Sequence, residues 1–137
     1  MRLNKDLNKT QLILNNAEHK QDFTINLSKS KSRYVVSVKN LYRGINPSLD
    51  FELRDKISKI VDSGQFDSVG GWTNIDGEYF VDANLHLEKL EWANHTAIKN
   101  EQISIYDLVD EKLIFVNNLE EIMLRGRLME TFNEYLN

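Results

Sequence analysis

The sequence contains no cysteine, and this absence excludes several kinds of protein at once. A chain without cysteine has no disulfide framework, no thiolate nucleophile and no cysteine-ligated zinc. One proline and six glycines in 137 residues are too few for a fibrous or low-complexity chain. Because 41% of the residues are hydrophobic, we expect a single globular domain over residues 1–137.

Long hydrophobic runs are missing as well. No segment approaches the ~20 apolar residues that span a bilayer, so no membrane contact is expected. Residues 1–6 lack the apolar core of a signal peptide. Together with the lack of cysteine, these features predict a cytoplasmic protein.

Charge is unevenly distributed along the chain. Residues 1–59 carry twelve Lys and Arg against six Asp and Glu, a net charge of +6. Residues 60–137 carry five against fifteen, a net charge of −10, and the total is −4. Such asymmetry is typical either of a solvated surface or of an acidic face that meets a basic partner.

Hydrophobic periodicity predicts three units, each a hairpin followed by a helix. Apolar residues alternate over 23–27 and again over 34–38, which predicts a first hairpin with a basic tip. The helix after it is predicted to begin at Ser48, as N-terminal cap, and to end at Gly64. Residues 1–20 form a poorly determined segment that fits either a short helix or a strand.

The second unit contains the most informative stretch, Val69-Gly70-Gly71-Trp72, followed by a turn that Gly77 closes. Two adjacent glycines predict a sharp bend and a Trp72 buried beside the second helix. A helix over 88–99 should bury Leu90, Ala93, Ala97 and Ile98 and leave Trp92 near its edge.

The third unit is a hairpin that pairs residues 102–107 with 112–116, followed by a helix that begins at Asn118. Consecutive hairpins favour antiparallel pairing. The sequence therefore predicts an α+β fold, with an antiparallel sheet built from three hairpin–helix units and the helices packed on one face.

Candidate chemistry is sparse. Asp82, Asn84 and His86 alternate along one strand, so they share a face that could hold a divalent metal or a polar small molecule, or could simply face water. His19, His86 and His95 are far apart, and neither a Gly-x-Ser-x-Gly elbow nor a phosphate-binding glycine loop occurs. We therefore assign no catalytic residues, no metal and no cofactor.

The predicted first hairpin has a basic tip formed by Lys29, Lys31 and Arg33. These residues could contact nucleic-acid phosphates, or they could be a solvated turn. A sequence pI of about 5.4 argues against nucleic-acid binding as the main activity.

Residues 67–116 resemble a group of small, mostly uncharacterised proteins encoded by phages, prophages and plasmids. The motifs that carry the resemblance are Gly70-Gly71-Trp72-Thr73, the strand Tyr79-Phe80-Val81-Asp82, and the QIAIYDL-like strand at 102–108. The chain departs from the group at Ala83 and Asn84, where a β-branched residue and a serine are usual.

The resemblance implies a non-enzymatic protein, in the cytoplasm of a bacterial host, that binds and inhibits a host defence protein such as a CRISPR effector. An acidic surface could compete for a basic nucleic-acid channel. The candidate acidic residues are Glu88, Glu91, Asp110, Glu111, Glu120 and Glu121. Sequestration of a small ligand or nucleotide signal by Asp82, Asn84 and His86 is the alternative function, and a homo-oligomer is also open.

Overall fold

The computed structural model describes residues 2–102 and 104–116, which contain three α-helices, one 3₁₀ turn and six strands. The helices are α1 (Arg2–Glu18), α2 (Leu53–Ser63) and α3 (Leu90–Lys99), and the 3₁₀ turn is Pro47–Leu49. The strands are β1 (Phe23–Asn26), β2 (Tyr34–Gly44), β3 (Ser68–Thr73), β4 (Tyr79–Leu87), β5 (Ser104–Asp107) and β6 (Lys112–Phe115). None of these helices is both long enough and apolar enough to cross a membrane.

The strands form one antiparallel sheet in the order β1-β3-β4-β2-β5-β6. The predicted α+β class is confirmed, and so is the succession of two strands and then a helix in the first two of the three predicted units. The second and third hairpins pair as predicted, with Trp72 opposite Phe80 and Tyr106 opposite Leu113. The predicted last helix, including Glu120 and Glu121, lies outside the described residues.

The first strand has a different partner from the predicted one, because β1 pairs with β3 and not with β2. The link after β1 explains the difference. Leu27 and Ser28 donate their backbone N–H groups to the carbonyl of Asp67, at 2.8 and 3.3 Å, and the Ser28 hydroxyl donates to its carboxylate at 2.7 Å. These bonds hold the link alongside the residue that precedes β3, so residues 29–33 are not the tip of a hairpin.

The helix after β2 begins later than predicted. Ser48 donates its hydroxyl to the side chain of Asn46 at 2.6 Å and does not cap a helix. Pro47–Leu49 forms the 3₁₀ turn, and α2 begins at Leu53. The predicted end is correct, because Gly64 adopts the left-handed conformation, with φ of 66°, that glycine tolerates best.

Contacts divide the chain into two compact units. Unit 1 comprises 2–30 and 39–85, and unit 2 comprises the described residues of 31–38 and 86–116. In unit 1, helices α1 and α2 pack on the same face of β3 and β4. Its fully buried residues include Ile13, Ala17, Leu53, Ile57, Val69, Tyr79, Val81 and Ala83.

Unit 2 has a smaller core around α3. Its buried members are Val36, Ala93, Ala97, Ile105 and Val116. Ala93 and Ala97 lie one helical turn apart, as the predicted apolar stripe requires. Trp92 lies outside this stripe, with half of its surface exposed.

The two central glycines of β3 serve close packing and not a bend. Both lie within the strand, where Gly70 is opposite Thr24 and Gly71 is opposite Phe23. A Cβ atom on Gly71 would clash with the Phe23 ring and the Tyr79 hydroxyl. That hydroxyl donates to the carbonyl of Gln21 at 2.6 Å, and burial raises the pKa of Tyr79 to about 12, so it stays a donor.

An ion pair holds the start of β2 to β5 inside unit 2. Arg33 donates Nε and Nη2 to the two carboxylate oxygens of Asp107, each at 2.8 Å. The Asp107 side chain is fully buried and also accepts the backbone N–H groups of Val109 and Asp110, at 2.9 and 3.2 Å. The guanidinium of Arg33 and these backbone donors hold the pKa of Asp107 well below its usual range.

We expect Gly71→Ala to destabilise the protein by about 2 kcal/mol, because the new methyl group must displace Phe23 or Tyr79. Gly70→Ala is the matched control, since the nearest atom to its Cβ is the Phe23 carbonyl oxygen at 3.3 Å. The control should lose clearly less stability than Gly71→Ala, because its neighbours need to shift by only a few tenths of an ångström. Urea unfolding at pH 7 measures both, and equal losses would contradict the packing argument.

We expect the Arg33–Asp107 pair to make stability depend on pH. Because the pKa of Asp107 is lowered by folding, its contribution is full above the ordinary carboxyl value of about 4 and declines as pH falls below it. Asp107→Asn should therefore lose less stability between pH 7 and pH 3 than the parent does. Urea midpoints at both pH values test this, with Asp62→Asn, at an exposed aspartate away from Arg33, as control. An unchanged pH dependence in Asp107→Asn would refute the assignment.

Candidate functional site

The candidate site is the face of β3 and β4 that points away from the core of unit 1. Residues directly opposite each other in an antiparallel pair share a face. The register places Trp72 opposite Phe80 and Gly70 opposite Asp82. Because Tyr79 and Val81 are fully buried on the core side, these four residues lie on the other side.

An aromatic stack forms the centre of this face. The rings of Trp72 and Phe80 stack with centroids 4.6 Å apart and planes inclined by 13°. The guanidinium carbon of Arg43 lies 5.4 Å from the Phe80 centroid, within cation–π distance. We call Arg43, Trp72 and Phe80 the aromatic platform.

Arg43 is fixed in the platform by Glu78. Its Nε and Nη2 atoms donate to the two carboxylate oxygens of Glu78, at 3.0 and 3.1 Å. These hydrogen bonds lower the pKa of Glu78 and raise that of Arg43. Because both charges are compensated, the platform presents an aromatic surface without a free charge from this pair.

Asp82 lies beside the platform and is only 9% exposed. One carboxylate oxygen accepts the Trp72 Nε1–H at 3.1 Å, and the other accepts the Asn40 amide at 3.0 Å. The same Asn40 nitrogen donates to the backbone carbonyl of Tyr42 at 2.9 Å. A buried carboxylate needs such donors, and here they connect β4 to both neighbouring strands of unit 1.

The expected burial of Trp72 is wrong, because 47% of its surface is exposed. The core side of β3 is filled at Gly71 by Phe23 and Tyr79, and Trp72 points to the opposite face. Gly71 therefore accommodates two other aromatic side chains. Trp72 becomes a candidate contact residue.

One interpretation of the sequence was that the polar row on β4 faces water. The structure contradicts it, because all three residues are buried. Asp82, Asn84 and His86 are each exposed by 9% or less. In unit 1, Asn84 donates its amide to the Ser68 hydroxyl at 3.1 Å, and Asp82 is bonded as described above. Among the described residues, no group of three or more His, Asp or Glu side chains could hold a metal ion.

Four of the acidic candidates, Glu88, Glu91, Asp110 and Glu111, are exposed in unit 2. Asp110 accepts a hydrogen bond from Arg33 at 3.0 Å and lies 3.9 Å from Lys112. The other two, Glu120 and Glu121, lie outside the described residues. Of the basic candidates, Lys29 and Lys31 are exposed, whereas Arg33 binds Asp107 and Asp110.

Among the described residues, the charge asymmetry along the sequence does not become an asymmetry between the two units. The described part of unit 1 carries ten basic and eleven acidic residues, a net charge of −1. The described part of unit 2 carries five and six, again a net charge of −1. Each unit draws segments from both halves of the chain, so neither described unit has a strongly acidic balance.

Comparisons of the chain with protein-family models, curated proteins and solved structures found no match. The choice of a site therefore depends on the geometry. The aromatic platform combines a half-exposed tryptophan, a stacked partner ring and a fixed arginine in one unit. The other tryptophan, Trp92, lies in no ring stack within the described part of the chain, and the ammonium of Lys89 is 4.8 Å from its centroid.

Two exposed aliphatic residues lie at the same end of the sheet as the platform. Ile75, in the turn between β3 and β4, is fully exposed, and Ile45, directly after β2, is 71% exposed. The Arg43–Glu78 ion pair joins these two chain segments. Large aliphatic residues at such positions contribute nothing to the core, and Ile75 within the Asn74–Gly77 turn is a sequence signal for this surface.

We expect Trp72→Ala to destabilise the protein by about 1–2 kcal/mol, less than the 3–5 kcal/mol typical of a buried tryptophan. Trp92→Ala is the matched control, because Trp92 is 50% exposed and Trp72 47%. Urea unfolding of both variants should give losses within about 1 kcal/mol of each other. A loss above about 3 kcal/mol for Trp72→Ala alone would show that Trp72 belongs to the core.

Proposed function

We propose that this chain is a non-enzymatic binding protein of a phage or mobile element that inhibits a host defence protein, and that it contacts this protein through the aromatic platform. The binding surface is supported by one observation above others, the fixed and half-exposed indole of Trp72. The biological context is supported by the resemblance of residues 67–116. A CRISPR effector is the first target to test.

The platform has the amino-acid composition of a hot spot in a protein–protein interface. Tryptophan, tyrosine and arginine are the residues whose truncation most often weakens such interfaces strongly. Trp72 offers a large apolar ring, and Arg43 adds an extended planar group on the same face. Both are held by neighbours before any partner arrives, which lowers the entropy lost on binding.

The apolar surroundings favour a protein partner over a nucleic acid. Ile45 and Ile75 provide exposed aliphatic surface at the platform end, and such surface fits an apolar pocket. The one arginine of the platform is neutralised by Glu78, so it offers no free charge to a phosphate. The acidic residues of unit 2 rank second as a contact surface, because Asp110 is already paired with Arg33.

We expect expression of the chain to restore phage plating on bacteria that carry the inhibited defence system, when a panel of CRISPR and other systems is tested. Trp72→Ala should abolish the protection, since loss of a central tryptophan weakens binding by about 2 kcal/mol or more, roughly 30-fold. Ile75→Asp should reduce it, because a carboxylate would enter an apolar contact.

Trp92→Ala is the control, with the same residue type at the same exposure in unit 2. It should keep full protection at equal expression. No protection against any system in the panel would overturn the inhibitor proposal. Equal loss in both tryptophan variants would overturn the choice of surface.

A further inference from the structure

We infer that Asp82 is a positioning residue, which fixes the indole of Trp72 in the orientation that a protein partner meets. This inference rests on the proposed function for its biological meaning. The orientation of the Trp72 indole can be measured in the isolated protein, without any partner.

The position of Asp82 relative to Trp72 follows from the register of the hairpin. Trp72 is opposite Phe80, and Asp82 lies two residues further along the same face of β4. Such diagonal neighbours are within reach of an aromatic side chain. The indole spans this distance and donates Nε1–H to Asp82 at 3.1 Å.

Two contacts together determine the orientation of the indole. Stacking on Phe80 fixes the plane of the ring but permits its rotation by a half-turn about the Cβ–Cγ bond, which moves Nε1 to the other side. The hydrogen bond from Nε1 to the carboxylate fixes that rotation, because the ring has a single N–H donor. One face of the indole is covered by Phe80, and the remaining exposed surface is presented in one orientation.

The carboxylate is itself held in place. Its second oxygen accepts the amide of Asn40, and that amide also donates to the Tyr42 carbonyl in β2. A hydrogen bond to an ionised acceptor is stronger than one between neutral groups. The chain Tyr42–Asn40–Asp82–Trp72 thus connects the indole to the backbone of a neighbouring strand, a rigid support for a binding residue.

Indole NMR tests the inference directly, because the chain has only two tryptophans and Trp92→Phe assigns their resonances. In the parent protein, the Trp72 indole N–H should exchange with water more slowly than that of Trp92. Asp82→Leu should speed this exchange and shift the Trp72 resonance upfield, whereas Asp82→Asn, which keeps an acceptor oxygen, should retain most of the parent signature.

Asn84→Leu is the matched control for general effects of removing a buried polar group from this face. Asn84 is 7% exposed on the same strand, and it bonds Ser68 and not Trp72. In Asn84→Leu, the indole N–H resonance of Trp72 should match that of the parent protein. If Asp82→Leu and Asn84→Leu change the Trp72 indole equally, or if exchange at Trp72 equals that at Trp92 in the parent, the positioning role is refuted.

Plating experiments connect the inference to function and keep the two proposals distinguishable. Asp82→Leu should raise the dose of the chain needed for half-maximal protection roughly two- to tenfold, which corresponds to ordering one side chain on binding. Asn84→Leu should leave the dose unchanged. Suppose that Asp82→Leu changes the NMR signature of the Trp72 indole, but Trp72→Ala does not reduce protection. This result would support the positioning of Trp72 by Asp82 and refute the platform as the binding surface. Loss of protection in Trp72→Ala with a parent-like dose in Asp82→Leu would refute the positioning role in binding.

Discussion

A carboxylate that is removed from water must receive hydrogen bonds from the protein, and this requirement organises each unit around one aspartate. In unit 1, Asp82 brings together the indole of Trp72 and the amide of Asn40. In unit 2, Asp107 brings together Arg33 and the backbone of the following turn. Both carboxylates lie on strands and have donors from other segments, so each one fixes a tertiary arrangement that local propensity leaves free.

The two aspartates differ in what they leave on the surface. The donors to Asp107 include the guanidinium of Arg33, so the charge of this side chain is paired within the protein, where it holds the start of β2 to β5. One of the two donors to Asp82 is an indole whose ring remains half exposed. The first arrangement stabilises unit 2, whereas the second also leaves an aromatic ring at the surface, which is why the binding proposal concerns unit 1.

Local patterns in the sequence were sufficient for the elements whose partners are close in the chain. The period-two alternation after Gly77 gave the correct core face of β4, and the stripe containing Ala93 and Ala97 gave the correct face of α3. The partner of β1 could not be predicted in this way, because alternation defines the two faces of a strand and not its neighbour. The bonds from Leu27 and Ser28 to Asp67 decide that pairing, across about forty residues.

The candidate site was harder to predict than the fold. Two glycines beside a tryptophan fit either a bend or a close packing contact, and only the positions of Phe23 and Tyr79 distinguish them. The charge counted along the chain suggested a polarised molecule. Each compact unit, however, contains segments from both the basic half (1–59) and the acidic half (60–137) of the sequence. Asp82 was predicted only as one member of a polar row on β4, and its burial was not expected.

The ion pair between Arg33 and Asp107 joins residues that are 74 positions apart, and the separation has a consequence during synthesis. At about 5–20 residues per second, a ribosome adds Asp107 roughly 4–15 s after Arg33. Throughout this interval the start of β2 has no β5 to pair with, and an unpaired apolar strand is prone to associate with other nascent chains. Lys31 and Arg33 carry positive charges just before Tyr34, where β2 begins. Repulsion between these charges on different nascent chains disfavours association through the strand while β5 has not yet been synthesised.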